Sequence, residues 1–312
     1  MAIRVINQMG AGAAAIITNA CPEVELIEFA PGDPPPGLAA DVFFGGYFAW
    51  DDIARWIDAA GVRWVQTSGT GVDKVPRSIF EGRVVTCARG ASAEPISEWV
   101  MAAVLAWAKR MPQTWLHEPP RHWNFPYPPF APIAGSTLAL VGLGGIGTAV
   151  ARRALAFDMN VKALRRTDAP SPLVGVRTVK TIGELVVDAD HLVLAAPSTP
   201  KTQHLVNADV LARVKPGVHL VNIARGALVD QDALRVALDD GRVAMATLDT
   251  VEPEPAPEGH WLYSHPSVRL SAHVSWYNPD LQKASLDIFV DNLGRFARGE
   301  PLREIVDPDE GY

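Results

Sequence analysis

The chain has 312 residues, 48% of them hydrophobic and 20% charged, with a formal net charge of -7 at pH 7. That length accommodates two domains of ordinary size, each able to bury its own core, and the composition is that of a soluble globular protein, expected in the cytoplasm. The acidic balance, without a run of lysine or arginine, argues against nucleic acid or an anionic membrane as the main partner.

In chain order, the first hundred residues alternate short apolar runs with breakers. Ile3 to Ile6, Val24 to Phe29, Val42 to Phe44, Arg63 to Val65 and Val84 to Thr86 read as strands, and Asp51 to Ala59 as a helix between two of them. This alternation predicts parallel strands joined by crossovers. The alanine-rich stretch near the N-terminus follows polar Asn7 and Gln8, which argues against a secretory signal. No segment reaches membrane-spanning length without a charge or a breaker. Residues 30–37, APGDPPPG, read as a surface connection. Cys21 and Cys87 stand alone, with neither a disulfide framework nor metal-type spacing.

A long apolar helix is predicted from Glu94 to Met111, with Lys109 and Arg110 near its C-terminal end, where cations suit the helix dipole. Behind it, residues 112–132, PQTWLHEPPRHWNFPYPPFAP, are too rich in proline for regular structure and too apolar for an idle loop. They read as an arm lying on a second copy of the chain, with an intramolecular lid as the alternative. His117 and His122 sit among prolines that deny them helical spacing, so no metal site is expected there.

Thr137 to Arg166 is the most informative stretch. Gly142, Gly144 and Gly147 form G-x-G-x-x-G directly after the apolar run Leu138 to Val141 and before a segment of helical periodicity. In that context the first glycine permits the tight turn, the second admits a pyrophosphate, and the third lets helix pack on strand. The helix N-terminus is then aimed at the phosphates. After the next strand, Asn160 to Leu164, an NAD-binding fold would place an acid on the ribose 2′-hydroxyl; here stand Arg165 and Arg166. A guanidinium grips a 2′-phosphate with charge-assisted hydrogen bonds, which predicts NADP(H) in preference to NAD(H). The candidate cofactor-binding set is Gly142, Gly144, Gly145, Ile146, Gly147, Arg165 and Arg166, with Pro197, Ala224 and Asp249 behind later strands.

Those strands are His191 to Ala195, Val218 to Asn222 and Ala244 to Leu248, with a helix from Asp230 to Asp240. Loops following strands are where an open α/β sheet places its ligand crevice. There lie Arg225, Glu254 in LDTVEPEPAP, and His273 in VRLSAHVSW. An arginine can clamp a carboxylate, a histidine can exchange a proton near neutrality, and a glutamate can orient and favour the imidazolium. The conjunction points to reduction of a carbonyl beside a carboxylate. A final helix, Pro279 to Arg298, carries Leu286, Phe289, Val290, Leu293 and Phe296 on one face.

VGLGGIG, NIARGALVDQDALRVAL, DTVEPEP and the SAH before Val274 resemble, in order and spacing, the signatures of the D-isomer-specific 2-hydroxyacid dehydrogenases, and the resemblance covers nearly the whole chain. It implies that Arg225 binds substrate, that Glu254 rather than Glu252 orients the histidine, and that His273 is the acid/base. It also implies that Thr70 and Gly71, in the loop QTSGTGVD, offer backbone amides to the substrate carboxylate. The implied fold is α/β with two doubly wound parallel-sheet domains: a Rossmann cofactor domain at 101–278, inserted into a flavodoxin-like substrate domain made of 1–100 and 279–312. A homodimer is implied as well.

Arg165, in place of the usual acid, resembles the NADP-preferring glyoxylate/hydroxypyruvate reductase branch, which makes a small 2-keto acid the expected substrate. Ser275, Trp276 and Tyr277 are bulkier than the family's usual residues and leave a larger 2-keto acid as an alternative. A dinucleotide-sensing, corepressor-like protein without turnover is the alternative from another class. Formate dehydrogenase is disfavoured by Glu254 where that relative has glutamine.

Overall fold

The computed structural model describes residues 2–46, 49–120, 123, 129–167 and 169–312. The chain divides into two compact units, residues 1–92 with 278–312, and residues 93–277. A break at residue 100 would cut a continuous helix; the division falls before that helix instead.

The first unit opens with β1 (Arg4–Asn7), α1 (Gly10–Ala20), β2 (Glu25–Glu28), β3 (Val42–Gly45), α2 (Trp50–Ala60), β4 (Trp64–Thr67) and β5 (Val84–Thr86). Its strands form a parallel sheet in the order β2-β1-β3-β4-β5, the flavodoxin-like arrangement. All residues of β3 and β4 are buried, as expected for strands covered on both faces. The period-two alternation sends Phe43 and Val65 to one side, with Ile53, Trp56 and Ile57 of α2, and Phe44 and Trp64 to the other, with Ala13 and Ile17 of α1.

The second unit runs through α3 (Ala93–Ala108), β6 (Thr137–Val141), α4 (Gly145–Ala156), β7 (Asn160–Leu164), β8 (Val176–Val179), α5 (Ile182–Val186), β9 (His191–Leu194), α6 (Ala208–Leu211), β10 (Val218–Asn222), α7 (Gln231–Asp239), β11 (Val243–Leu248) and β12 (Val268–Leu270). Seven parallel strands lie in the order β12-β11-β10-β9-β6-β7-β8. Strand order reverses between β6 and β9, so the ligand crevice of this sheet is expected beyond their carboxyl ends. Leu138 and Leu140 face α3 and α4, while Ala139 and Val141 face the side of α5, α6 and α7.

The chain then returns to the first unit in α8 (Leu281–Arg298). Leu286, Phe289 and Leu293 pack beside Val5, Phe44 and Trp64, with the Phe289 ring stacked on Phe44 at 4.1 Å between centroids. This is the face predicted from the apolar period. Among the described residues no helix is long and apolar enough to cross a membrane.

Candidate active site

The glycine turn can be tested position by position against the chain's own packing. Gly142 has φ +99°, and a Cβ there would lie 2.8 Å from the Ala195 carbonyl oxygen, so turn and neighbouring strand both demand glycine. A Cβ on Gly147 would lie 2.1 Å from the Gly142 carbonyl oxygen, which is the close helix-to-strand approach the motif predicts. Gly144 is different. A Cβ there would meet nothing within 4 Å, and its φ of -82° is open to any residue. The fold itself has no need of glycine at 144. The open space lies at the N-cap of α4, where no side chain caps the first-turn amides, and these are the groups that receive a phosphate. The turn therefore fits a dinucleotide pyrophosphate, with Gly145 exposed and Ile146 half-buried beside it.

Arg165 and Arg166 follow β7, at the same edge of the sheet. Arg165 is half-buried, and its Nη1 donates to the carbonyls of Ala169 at 3.0 Å and Pro170 at 2.6 Å. The loop thus holds one end of the guanidinium in place. Arg166 is exposed. Pro197 is exposed after β9, its carbonyl accepting from the Thr202 hydroxyl at 2.7 Å, whereas Ala224 is buried behind β10.

Arg225, Glu254 and His273 follow β10, β11 and β12, three adjacent strands, so parallel topology carries them to one edge. Asn222 fixes the first of these loops: its side-chain amide donates to the Arg225 carbonyl at 2.9 Å and its oxygen accepts from the Ala224 amide at 3.0 Å. The Arg225 Nη1 donates to the Ala224 carbonyl at 2.8 Å. Gly226 then admits the next loop. A Cβ there would lie 2.0 Å from the Val251 carbonyl carbon, so the backbone bearing Arg225 lies directly against the segment leading to Glu254.

The carboxylate of Glu254 sits 2.6 Å from Nδ1 of His273, each side chain about one-third exposed, at 32%. A carboxylate at Nδ1 holds a proton there and leaves Nε2 as the nitrogen to face substrate. His273 also has φ +53°, the left-handed region that a β-carbon disfavours. Asp249 accounts for this conformation. Its backbone carbonyl accepts from the His273 amide at 2.9 Å, Oδ1 accepts from the Ser271 hydroxyl at 2.5 Å and the Val274 amide at 2.9 Å, and Oδ2 accepts from the Ser275 amide at 3.0 Å. At 1% exposure, Asp249 directs its carboxylate to the turn that carries His273. That part was not legible in the sequence, where the residue stood only in the cofactor set. Beyond the turn, Trp276 is 37% and Tyr277 77% exposed, with rings edge to face at 5.7 Å.

Thr70 and Gly71 belong to the first unit, in the half-buried loop after β4, where the Thr70 hydroxyl donates to the Ala88 carbonyl at 3.1 Å. Of the arm, residues 121, 122 and 124–128 lie outside the described residues, His122 among them. Its described part leaves Trp115, Leu116, Trp123 and Phe130 exposed, and Lys109 donates to the Ala131 carbonyl at 3.0 Å, joining the arm's two ends. Among the described residues no cluster of three or more His, Cys, Asp or Glu could hold a metal.

Residues 101–275 match the family model described as D-isomer specific 2-hydroxyacid dehydrogenase, NAD binding domain. The chain is 33% identical over 254 residues to D-3-phosphoglycerate dehydrogenase of Methanocaldococcus jannaschii, an alignment covering 80% of this chain and 48% of that protein. The chain thus spans about half the length of that relative, and likewise of its Bacillus subtilis counterpart at 46%. It is 32% identical over 260 residues to glyoxylate reductase of Korarchaeum cryptofilum, covering 80% and 78% of the two chains. Among solved structures, a D-isomer specific 2-hydroxyacid dehydrogenase from Xanthobacter autotrophicus Py2, in complex with NADPH and MES, superposes with a TM-score of 0.82 at 25% identity, covering 100% of this chain and 99% of that one.

Proposed function

From a chain that belongs to the D-isomer specific 2-hydroxyacid dehydrogenase family, we infer an oxidoreductase that reduces a small 2-keto acid, of the glyoxylate or hydroxypyruvate type, to its D-2-hydroxy acid. The observation that carries the reading is the Glu254–His273 pair at 2.6 Å beside the Arg225 loop. His273, protonated and oriented through Nδ1, donates from Nε2 to the carbonyl oxygen as it gains charge. Arg225 binds the substrate carboxylate and polarises the carbonyl, and the Thr70 and Gly71 amides are assigned to substrate binding. A reduced nicotinamide, when bound, supplies the hydride. The residues that would hold that cofactor are the turn at 142–147, with its open face at Gly144, and Arg165 with Arg166 for a ribose 2′-phosphate.

NADPH is the preferred reductant in this reading, because no acid stands at 165 or 166 to repel a phosphate. Relatives named for glyoxylate and for 3-phosphoglycerate both match the chain, so the substrate is the variable to measure. The test is an initial-rate screen with NADPH and NADH against glyoxylate, hydroxypyruvate, pyruvate, phenylpyruvate and larger 2-keto acids. Reduction of a small 2-keto acid at lower KM for NADPH supports the assignment, and Arg165→Asp is expected to weaken NADPH binding by about 1 to 3 kcal/mol. Equal affinity for NADH in the wild type would refute the cofactor preference, and inactivity on every 2-keto acid would refute the enzyme reading.

A further inference from the structure

Glu254 is carried by a segment with little of its own to hold it. Val251 and Ala256 are buried, but Glu252, Pro253, Glu254 and Pro255 between them are exposed. Two prolines remove two backbone donors from those four residues. Among the described residues, the hydrogen bonds that tie 252–255 to the rest of the chain are the contact of Glu254 with His273 and a pair made by Gln231. The Gln231 Nε2 donates to the Glu252 carbonyl, and its Oε1 accepts from the Glu252 amide at 3.4 Å. One primary amide thus engages the donor and acceptor of a single residue, as a neighbouring strand would. A carboxylate, which only accepts, or an ammonium, which only donates, could make one of these two bonds but not both.

Gln231 is itself well placed to act as an anchor. It is the first residue of α7, and the preceding Asp230 caps that helix by accepting from the amides of Asp232 and Ala233 at 3.1 and 3.0 Å. The run from Arg225 to Gln231 therefore touches the acid-bearing segment twice, through the close approach of Gly226 to Val251 and through the Gln231 amide on Glu252. Without the second contact, the segment before Glu254 would be held only at the Val251–Glu252 peptide, where it meets Gly226.

We propose that Gln231 is a positioning residue, clamping the peptide of Glu252 so that the Glu254 carboxylate is held at Nδ1 of His273. The inference rests on the reductase reading above. It predicts a specific signature: because Gln231 acts through Glu254 on the proton-transfer step, its loss lowers kcat and leaves KM for the keto acid unchanged. Its effect must also vanish when Glu254 can no longer act, because mutations in one unit are not additive.

The experiment uses Gln231→Met, which keeps length and helix propensity but removes both hydrogen bonds, with Gln231→Ala as a second variant. Each is made in the wild type and in Glu254→Gln, and kcat and KM are measured at saturating NADPH beside the thermal midpoint. Amide hydrogen exchange at Glu252 reports the clamp without activity. Expected are faster exchange at Glu252, a kcat lower by about 3- to 10-fold with KM within about 2-fold, a small misplacement being enough for a loss of this size, and no further loss in the Glu254→Gln background. An unchanged kcat in Gln231→Met and Gln231→Ala, or a loss that multiplies with that of Glu254→Gln, would overturn the proposal while leaving the reductase reading intact. An unaltered kcat in Glu254→Gln alone would overturn the role of Glu254, and the clamp with it.

Discussion

Replacing Asp249 by asparagine tests whether the histidine turn is held by the fold or by ligand. In the wild type, Oδ1 accepts from the Ser271 hydroxyl and the Val274 amide and Oδ2 from the Ser275 amide, at a residue 1% exposed. Asparagine keeps one acceptor oxygen. In its better orientation that oxygen retains the two Oδ1 partners, and its NH2 then confronts the Ser275 N–H, donor against donor, away from water. A buried hydrogen bond to a carboxylate left unmade costs about 1.5 to 3 kcal/mol. The turn can regain part of this by letting His273 leave φ +53°, a conformation that costs on the order of 1 to 3 kcal/mol to maintain. Asp249→Asn is therefore expected to lose about 1 to 3 kcal/mol of stability and, because His273 has moved, on the order of 10-fold or more in kcat. Denaturant unfolding of the protein without nucleotide measures the first quantity, where no contact to a cofactor can contribute. An unfolding midpoint equal to that of the wild type, with the loss confined to NADPH affinity, would refute the positioning argument and return Asp249 to the cofactor.

His273→Ala should lower keto-acid reduction by about 100-fold or more while NADPH still binds, as for a missing general acid; near-normal turnover would end the acid/base assignment. Two histidines in the sheet of the second unit predict an acid-sensitive fold. Burial pushes His191 down to about 4 against the opposing charge of Asp190, and burial with the charge of His191 holds His219 well below its ordinary value. The two rings meet at 3.2 Å, and His219 reaches the Thr247 hydroxyl at 2.8 Å. Both are neutral in the fold and gain protons on unfolding from about pH 6.5 downward, so their stabilisation is complete above that pH and is lost as pH falls, for His191 through about 4. For His191 this amounts to about 2 kcal/mol by pH 5, seen as a lower urea midpoint at pH 5 than at pH 7.5 and flattened in His191→Asn; equal wild-type midpoints would contradict it. The exposed arm aromatics predict a homodimer, for which light scattering should return about twice the 33.6 kDa chain mass, whereas a monodisperse monomer favours the lid.

What could be read in advance, and what could not, follows from the range over which each residue acts. Val84–Thr86, Asn160–Leu164 and Val218–Asn222 have the bounds expected of them, because each is a short run of strand-forming residues entered from a turn, at Gly82, Asp158 and Gly217. The edge strand β8, with two of its four residues exposed, and the short α5 and α6 carry no such period. Glycines that enforce a turn were legible from local spacing, and so were the three side chains with reactive heads. Their supports were not. Asp249 meets partners 22 to 26 positions later, and Gln231 meets Glu252 across 21. In one dimension an acid after a strand and an amide opening a helix have ordinary uses as crevice ligand and surface residue. Only the pairing of β10, β11 and β12 sets their loops side by side. Gly144 is a different case, for which packing supplies no reason. A glycine that the fold does not require, at an uncapped helix start, fits a ligand that comes close to the backbone, so the reason for it lies outside the protein's own atoms.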